Sequence, residues 1–309
     1  MYDLIIIGGG PAGVSAAVYA ARKRLGTLFI TDTWGGQSNV SDGIENWIGT
    51  LRISGADLAK NLREHVEKYA GDSLKILSGT TATGIAPHDD TVEVTIKDGT
   101  RHETKTLLIA SGAARRKLEV PGAAEYDQKG LTYCASCDGP LFDGKDVAVV
   151  GGGNAAFETA LQLVAYCKSV TLLNRSDVLR ADAITITAAS AHHNLTIIKN
   201  AVPVKVEGAA FVNGLRYMDA HTKEERLLPV EGIFVEIGLL PNTEWLGNTL
   251  ALNEFKQIKV DPRTGRTSHK HIWAAGDVTD GLYHQNNIAS GDAVKALEDI
   301  YMAVHREGM

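Results

Sequence analysis

Cysteine is scarce: three occur in 309 residues, too few for a disulfide framework. Long apolar runs are missing too. None approaches the roughly 18 residues that cross a bilayer, so no membrane span is expected. The opening stretch, "MYDLIIIGGG", has a short apolar core but no basic leader and no cleavage site, so no signal peptide is read there. Basic residues are not in excess. The net charge of −6 argues against broad nucleic-acid binding. There is no low-complexity tract, linker or solenoid repeat. With 44% hydrophobic and 22% charged residues, the composition is that of a soluble globular protein, and the length suits two domains. The expected location is the cytoplasm, where a close cysteine pair is more often catalytic or metal-binding than structural.

Glycine placed after apolar runs is what the chain has instead. "YDLIIIGGGPAGVSAAVYAARKR" predicts a buried strand over 4–7 and a small-residue helix over 14–24, with "GTLFI" (26–30) as the next strand. Between the first two, Gly8, Gly10 and Gly13 form G-x-G-x-x-G, with Pro11 and Ala12 inside it. Gly8 makes the tight turn, Gly10 lets a pyrophosphate approach the backbone, and Gly13 lets the helix pack on the strand. The helix start offers free N–H groups and a positive dipole end. Asp32, about 20 residues on, is placed to accept from a ribose hydroxyl; the other reading is a solvated turn residue.

The pattern recurs in "VAVVGGGNAAFETALQLVAYCKSVTLLNR". A strand over 147–150 leads to Gly151, Gly153, Asn154, Ala155 and Ala156 as G-x-G-x-x-A. A helix runs through 163, and a second strand covers 170–173. This strand ends in Asn174 and Arg175, with no carboxylate. An arginine there suits the 2′-phosphate of NADP, where an acid would suit NAD. Arg180 is a second phosphate ligand candidate. Arg175 as a solvated loop residue is the competing reading, and it favours NAD. Two different dinucleotide loops imply two cofactors: FAD, held permanently, and a nicotinamide nucleotide that comes and goes.

Elsewhere the pattern is architectural. Residues 54–71 predict a helix with a Ser54/Asp57 capping box, an apolar stripe of Leu58, Leu62, Val66 and Tyr69, and Gly71 as its stop. Residues 91–112 predict strands around an Asp-Gly turn, returning to a buried strand at 107–110. Strands and turns fill 202–237, and the tail runs through Gly276-Asp277 into a long terminal helix. The fold class expected is α/β, with two Rossmann-like, three-layer ββα dinucleotide-binding domains, the second inserted into the first. Residues 1–113 and 244–309 form the first, and 114–243 the second. Two crossings permit rigid-body rotation.

Two cysteines fall in "YCASCDGPLF", residues 133–142. A structural zinc site needs four ligands. The third cysteine, Cys167, reads as a buried core residue within a helix, and His192 and His193 are adjacent without useful spacing, so no metal is expected. A redox pair fits better: Cys134 and Cys137 are spaced to cycle between dithiol and disulfide. Asp138 then serves as a proton shuttle or, on the other reading, as a turn cap. A dithiol beside two dinucleotide sites implies electron flow from nicotinamide to flavin to disulfide.

"CASCDGPLF", "GGGNAA", "GGQ…IENWIG" and "AAGDVTDGLYHQ" together resemble the low-molecular-weight thioredoxin reductases along essentially the whole chain. The flavin-and-disulfide half of the AhpF peroxiredoxin reductases is equally similar, notably through "IFVEIGLLPNTEWL". The chain has no room for that group's N-terminal thioredoxin-like domain, so a stand-alone thioredoxin reductase is the expectation. The resemblance implies a homodimer with one FAD per protomer and a thioredoxin-like partner. It implies that Cys137 faces the flavin, that Cys134 attacks the partner disulfide, and that Asp138 is the acid/base. Gly35, Gly36 and Gln37 would line the flavin, with Asn46 on its ring. Gly276-Asp277 would hold the ribityl–phosphate part, and Gln285 would sit by the pyrimidine end, where the terminal helix dipole favours negative charge. The family's usual His-Arg-Arg is Asn174, Arg175 and Ser176 here, with Arg180 retained. One arginine fewer makes NADH or reduced ferredoxin thinkable as donor beside NADPH. A dithiol oxidase using oxygen is a further alternative. His284 replaces a usual arginine, and "NNIAS" replaces a more apolar stretch.

Overall fold

The computed structural model describes residues 1–41 and 43–306. The chain divides into two compact units, Met1–Ala114 with Leu240–Met309, and Arg115–Leu239. In the first unit, β1 (Tyr2–Gly9) leads through the glycine turn into α1 (Pro11–Arg22), followed by β2 (Thr27–Trp34) and α2 (Gly55–Ala70). Then come β3 (Leu74–Ser78), β4 (Ala82–Pro87), β5 (Val92–Ile96), β6 (Arg101–Ile109) and β7 (Ala113–Arg115). The second unit contains β8 (Leu131–Thr132), α3 (Ala135–Asp138), β9 (Asp146–Val150), α4 (Asn154–Leu163) and β10 (Ser169–Leu173). It continues with α5 (Ala183–Ser190), β11 (Leu195–Ile198), β12 (Ala201–Gly208), β13 (Val212–Asp219), β14 (Glu225–Leu228) and β15 (Gly232–Val235). A short strand β16 (Leu239–Pro241) pairs with β7, and β17 (Ile272–Ala274) and α6 (Asn286–Arg306) complete the first unit.

In the first unit β3, β2, β1 and β6 lie side by side in parallel. Strand β6 does two jobs. Its first half pairs antiparallel with β5, which in turn pairs with β4. Its second half pairs parallel with β17, Leu107 opposite Ile272 and Ile109 opposite Ala274. Strands buried on both faces read as unbroken apolar runs, and alternate residues face opposite layers. Leu4, Ile6, Phe29, Leu108 and Trp273 pack beneath α1, α2 and α6. Ile5, Ile7, Leu28, Leu107 and Ile109 pack with Val92, Val94 and Ile96 of the β4–β5 hairpin. The result is three layers: helices, parallel sheet, antiparallel strands.

The second unit repeats the plan. Its parallel sheet has the order β11-β10-β9-β15-β8, and β12, β13 and β14 form a separate antiparallel sheet. Val147, Val149, Leu172 and Phe234 pack with Ala156, Phe157 and Leu163 of α4. Ala148, Val150, Ile233 and Val235 pack with Val206, Leu215 and Tyr217 of the antiparallel sheet.

Several local expectations are adjusted. Helix α1 begins at Pro11, three residues earlier than the periodicity suggested, because proline's fixed φ suits a first helical position. Strand β2 continues to Trp34 because Gly9 pairs with Trp34 after a register shift, so Asp32 lies within the strand and is exposed. In α2 the cap forms as read, with the Asp57 amide donating to Ser54 Oγ at 3.0 Å. Leu58, Leu62 and Val66 are buried, but Tyr69 is 42% exposed; it lies under the Arg22 guanidinium instead of in the core. Cys167 is buried but not helical: α4 stops at Leu163, and Cys167 sits in the segment leading to β10.

Glycine is obligatory where β1 meets α1. A Cβ on Gly13 would lie 1.8 Å from the Gly8 carbonyl oxygen, a backbone atom that cannot swing aside. Gly8 itself has φ +119, and a Cβ there would lie 2.1 Å from the Ala110 oxygen. Gly13→Ala is therefore expected to destabilise the first unit by about 2 kcal/mol or more, read as a lowered denaturant midpoint against wild type.

Candidate functional site

In the first unit the glycine loop ends at Gly10, the N-cap of α1, where no side chain caps the helix. Its first-turn N–H groups are therefore left to an anion. Gly35 and Gly36 take positive φ as the chain turns out of β2, and a Cβ on Gly36 would meet the Gly10 Cα at 3.2 Å. Two stretches of glycine backbone thus face one another with no side chain between them. Side by side, they present backbone and no side chain to an approaching pyrophosphate. Gln37 is exposed in the turn beyond, and Asp32 is exposed on β2.

Residues far apart in sequence meet at the start of α6. Asn46 Nδ2 donates to Gln285 Oε1 at 3.0 Å. Asn287 Nδ2 donates to the Asn46 carbonyl at 2.6 Å, and Ser38 Oγ donates to Asn286 Oδ1 at 2.8 Å. The polar "NNIAS" segment therefore holds Ser38, Asn46 and Ile48, a job that an apolar sequence would not do and that no local pattern revealed. Gly276 is buried against Ala12 and Ala289. Asp277 Oδ1 lies 3.5 Å from His284 Nδ1, so the histidine that stands in place of an arginine faces the expected ribityl–phosphate residue.

In the second unit a Cβ on Gly151 would lie 2.3 Å from the Glu236 carbonyl oxygen. Gly153 is the N-cap of α4, again without a side-chain cap. The Arg180 amide donates to the Gly152 carbonyl at 2.7 Å, and Asn154 Oδ1 accepts from the Asp182 amide at 2.8 Å. The segment carrying Arg180 is thereby fastened to the glycine loop. Ala155 is exposed and Ala156 buried. Arg175 and Arg180 are exposed and form no ion pair among the described residues. Asn174, by contrast, is buried. Its side-chain amide donates to the carbonyls of Ser176, at 2.7 Å, and Val178, at 3.0 Å. It shapes the turn and does not point a donor at solvent.

The cysteine pair lies beside this fold. Cys134 and Cys137 are joined as a disulfide, with Cα atoms 5.3 Å apart. Cys134 is the N-cap of α3, a single turn that ends in Asp138. One turn is unstable alone. It is held by the Asp138 amide donating to the Cys134 carbonyl at 3.0 Å and by Gly139, whose α-carbon packs against Tyr166. The Thr132 hydroxyl donates to Asp138 Oδ2. The same hydroxyl accepts from the Cys134 amide at 3.4 Å. Thr132 was not among the residues the sequence singled out; its position two before the first cysteine was the available signal. Tyr133, also buried, carries the Lys117 ammonium 4.2 Å from its ring centre.

Two further ionisable groups have altered proton affinity. Cys167 Sγ donates to the Phe142 carbonyl, and burial pushes its thiol pKa up to about 11. Glu236, next after β15, accepts from Thr159 Oγ1 at 3.0 Å and lies 3.4 Å from Arg115 Nη1. Burial raises its pKa, with the charge of nearby Glu158 adding to the effect, and Arg115 and Thr159 only partly offset this.

A pair of dinucleotide folds, one carrying a closed CxxC with an acid beside it, defines a disulfide oxidoreductase. The Pyridine nucleotide-disulphide oxidoreductase family model matches residues 2–299, and the chain belongs to that family. It is accordingly an FAD-dependent oxidoreductase with a redox-active disulfide that works with a pyridine nucleotide. It is similar to the F subunit of alkyl hydroperoxide reductase from Staphylococcus aureus, with 43% identity over 295 residues, 96% of this chain and 57% of that protein. It is also similar to an NADH dehydrogenase of Ferdinandcohnia aciditolerans, 40% identical over 96% of this chain and 56% of that one. The chain thus spans little more than half the length of these relatives. Among solved structures, thioredoxin reductase from Streptococcus pyogenes MGAS5005 superposes with a TM-score of 0.89, at 34% identity and 99% coverage of both chains.

Two outcomes follow from the altered groups. With the disulfide reduced, a thiol reagent at about pH 8 should label Cys134 and Cys137 rapidly, and Cys167 only after unfolding, because the thiolate is the reactive form; mass mapping of the label checks this. An acid whose pKa is raised by folding supports the fold fully below its unfolded pKa and loses that support as pH rises through its folded value. Glu236→Gln should therefore gain stability relative to wild type as pH rises from about 4, the unfolded carboxyl range, read as a widening difference in denaturant midpoint.

Proposed function

We propose that the chain reduces a protein disulfide of the thioredoxin type, using NADPH as electron donor. The observation that carries this is the closed Cys134–Cys137 pair on a one-turn helix, with Asp138 fixed against it, built into a dinucleotide fold. The FAD site is assigned to Gly8, Gly10, Pro11, Ala12 and Gly13 at the pyrophosphate, with Asp32 toward the ribose. Gly35, Gly36, Gln37 and Asn46 line the ring system, and Gly276, Asp277 and Gln285 complete it. Bound FAD supplies the two-electron link between a nicotinamide and the disulfide. Gly151, Gly153, Asn154, Ala155 and Ala156 receive the nucleotide's pyrophosphate. Arg175 and Arg180, both exposed beside that loop, take the 2′-phosphate.

Each thiol then has one task. Cys137 receives the electrons that open the pair. The Cys134 thiolate attacks one sulfur of the partner disulfide, breaking that bond as the mixed disulfide forms. The Cys137 thiolate attacks Cys134 in turn, re-forming the internal disulfide and releasing the partner's second thiolate. Two electrons and two thiol protons leave the pair and reach the partner's sulfurs, one proton by way of Asp138. A homodimer is part of this reading.

One observation favours a second donor. Ser176 stands where the resemblance expects a third arginine, and Asn174, in the histidine's place, spends its donors on its own turn, which leaves two arginines for the phosphate and brings NADH into competition. Anaerobic titration of the flavoprotein decides. NADPH should bleach the flavin at concentrations roughly tenfold below NADH, the worth of one charge-assisted contact; the reverse order overturns the NADPH assignment. Cys134→Ser should still be bleached by the nucleotide yet lose turnover of a thioredoxin disulfide by about a thousandfold or more. Surviving turnover would remove Cys134 from the attacking role.

A further inference from the structure

Thr132 ends β8, an edge strand of the parallel sheet, opposite Phe234 of β15. It is only 4% exposed, and its backbone is held by the sheet, not by the helical turn it faces. Its hydroxyl has one hydrogen to give. The Cys134 amide can only donate, so Thr132 Oγ1 must accept there. The hydroxyl hydrogen is thereby directed to its other neighbour, Asp138 Oδ2. The contacts form a directed chain from the amide of one redox cysteine, through one hydroxyl, to a carboxylate. Hydrogen bonds in series polarise one another, and a donor on a carboxylate favours its ionised form.

We infer that Thr132 is a positioning residue for disulfide exchange: it fixes the Asp138 carboxylate against the rigid sheet and keeps it ready to take a thiol proton. The inference rests on the reading of Asp138 as acid/base. Asp138 sits on four residues of helix, which would let a carboxylate wander. Thr132 ties it to β8, while its bond to the Cys134 amide keeps the carboxylate in register with the disulfide. No covalent bond to Thr132 forms or breaks. The proton that Asp138 takes comes from a thiol of the pair and ends on a partner sulfur, and Thr132 retains its own.

The test is a single-turnover reaction of the intact flavoprotein, reduced beforehand with stoichiometric dithionite so that the nicotinamide step is bypassed. Dithiobis(nitrobenzoate) serves as the disulfide probe, and the rate is followed across pH in wild type, Thr132→Val, Thr132→Ser, Asp138→Asn and the Thr132→Val/Asp138→Asn double variant. Valine keeps the shape and removes the hydroxyl; serine restores it. Thr132→Val should move the acid limb of the profile upward by about one pH unit and slow the reaction roughly tenfold below that limb. Thr132→Ser should track wild type, and the double variant should match Asp138→Asn alone. A uniform slowing of Thr132→Val at every pH, failure of serine to rescue, or an added loss in the double variant would each overturn the inference. If Asp138→Asn leaves the pH profile intact, the acid/base reading itself falls, and the role of Thr132 falls with it.

Discussion

The contact on which the first unit depends is the close approach of Gly13 to the carbonyl of Gly8. A Cβ at Gly13 would fall 1.8 Å from that oxygen. Because none is there, α1 starts directly over the end of β1 and its unsatisfied N–H groups stand at the carboxyl end of a central strand. The same lack of side chains lets the Gly36 backbone pack beside Gly10. The second unit meets the same need less tightly. Ala156 takes the place of the third glycine, its Cβ 2.9 Å from where one on Gly151 would lie. A permanently held cofactor and an exchanging one impose different demands on such loops, and the tighter of the two loops lies where the permanent one is assigned.

The disulfide depends on a different device. Four residues of helix cannot hold a reactive group in place, so α3 borrows its order from neighbours. Backbone bonds close the turn, Tyr166 packs on Gly139, and Thr132 reaches from β8 to Asp138. Chemistry that needs movable sulfur atoms is thus tied to a hydrogen-bonded strand of the parallel sheet. Glu236 shows the cost that the same fold accepts. A carboxylate buried at the end of β15 is disfavoured by desolvation and only partly repaid by Arg115 and Thr159.

Much was legible in the residues themselves, and where reading failed the reasons are particular. The strand–glycine–helix units and the CxxC have short-range signatures, because turn geometry and sulfur spacing are local constraints. The Ser54 cap was read for the same reason. Tyr69 matched the helical period of its apolar neighbours, yet an aromatic ring beside Arg22 is satisfied at the surface. Helix α4 ends at Leu163 as its pattern reads, so Cys167 lies beyond it, buried in the segment before β10 rather than in a helix. Asn174 stands where the resemblance expects a histidine, and its work, closing a turn with its own amide, depends on burial that sequence does not display.

By itself the sequence determined the class of fold, the two glycine turns, the redox pair and the family, since each rests on residue types at fixed short spacings. Only the tertiary structure decided which distant residues act together. Asn46 meets Gln285, Asn286 and Asn287 hold Ser38 and Asn46, Arg180 is fastened to the Gly152 carbonyl, and Thr132 reaches Asp138. The physical reason is common to all of them. A hydrogen bond acts over about 3 Å, and what brings two side chains that close is the register of strands and the packing of helices across the whole unit.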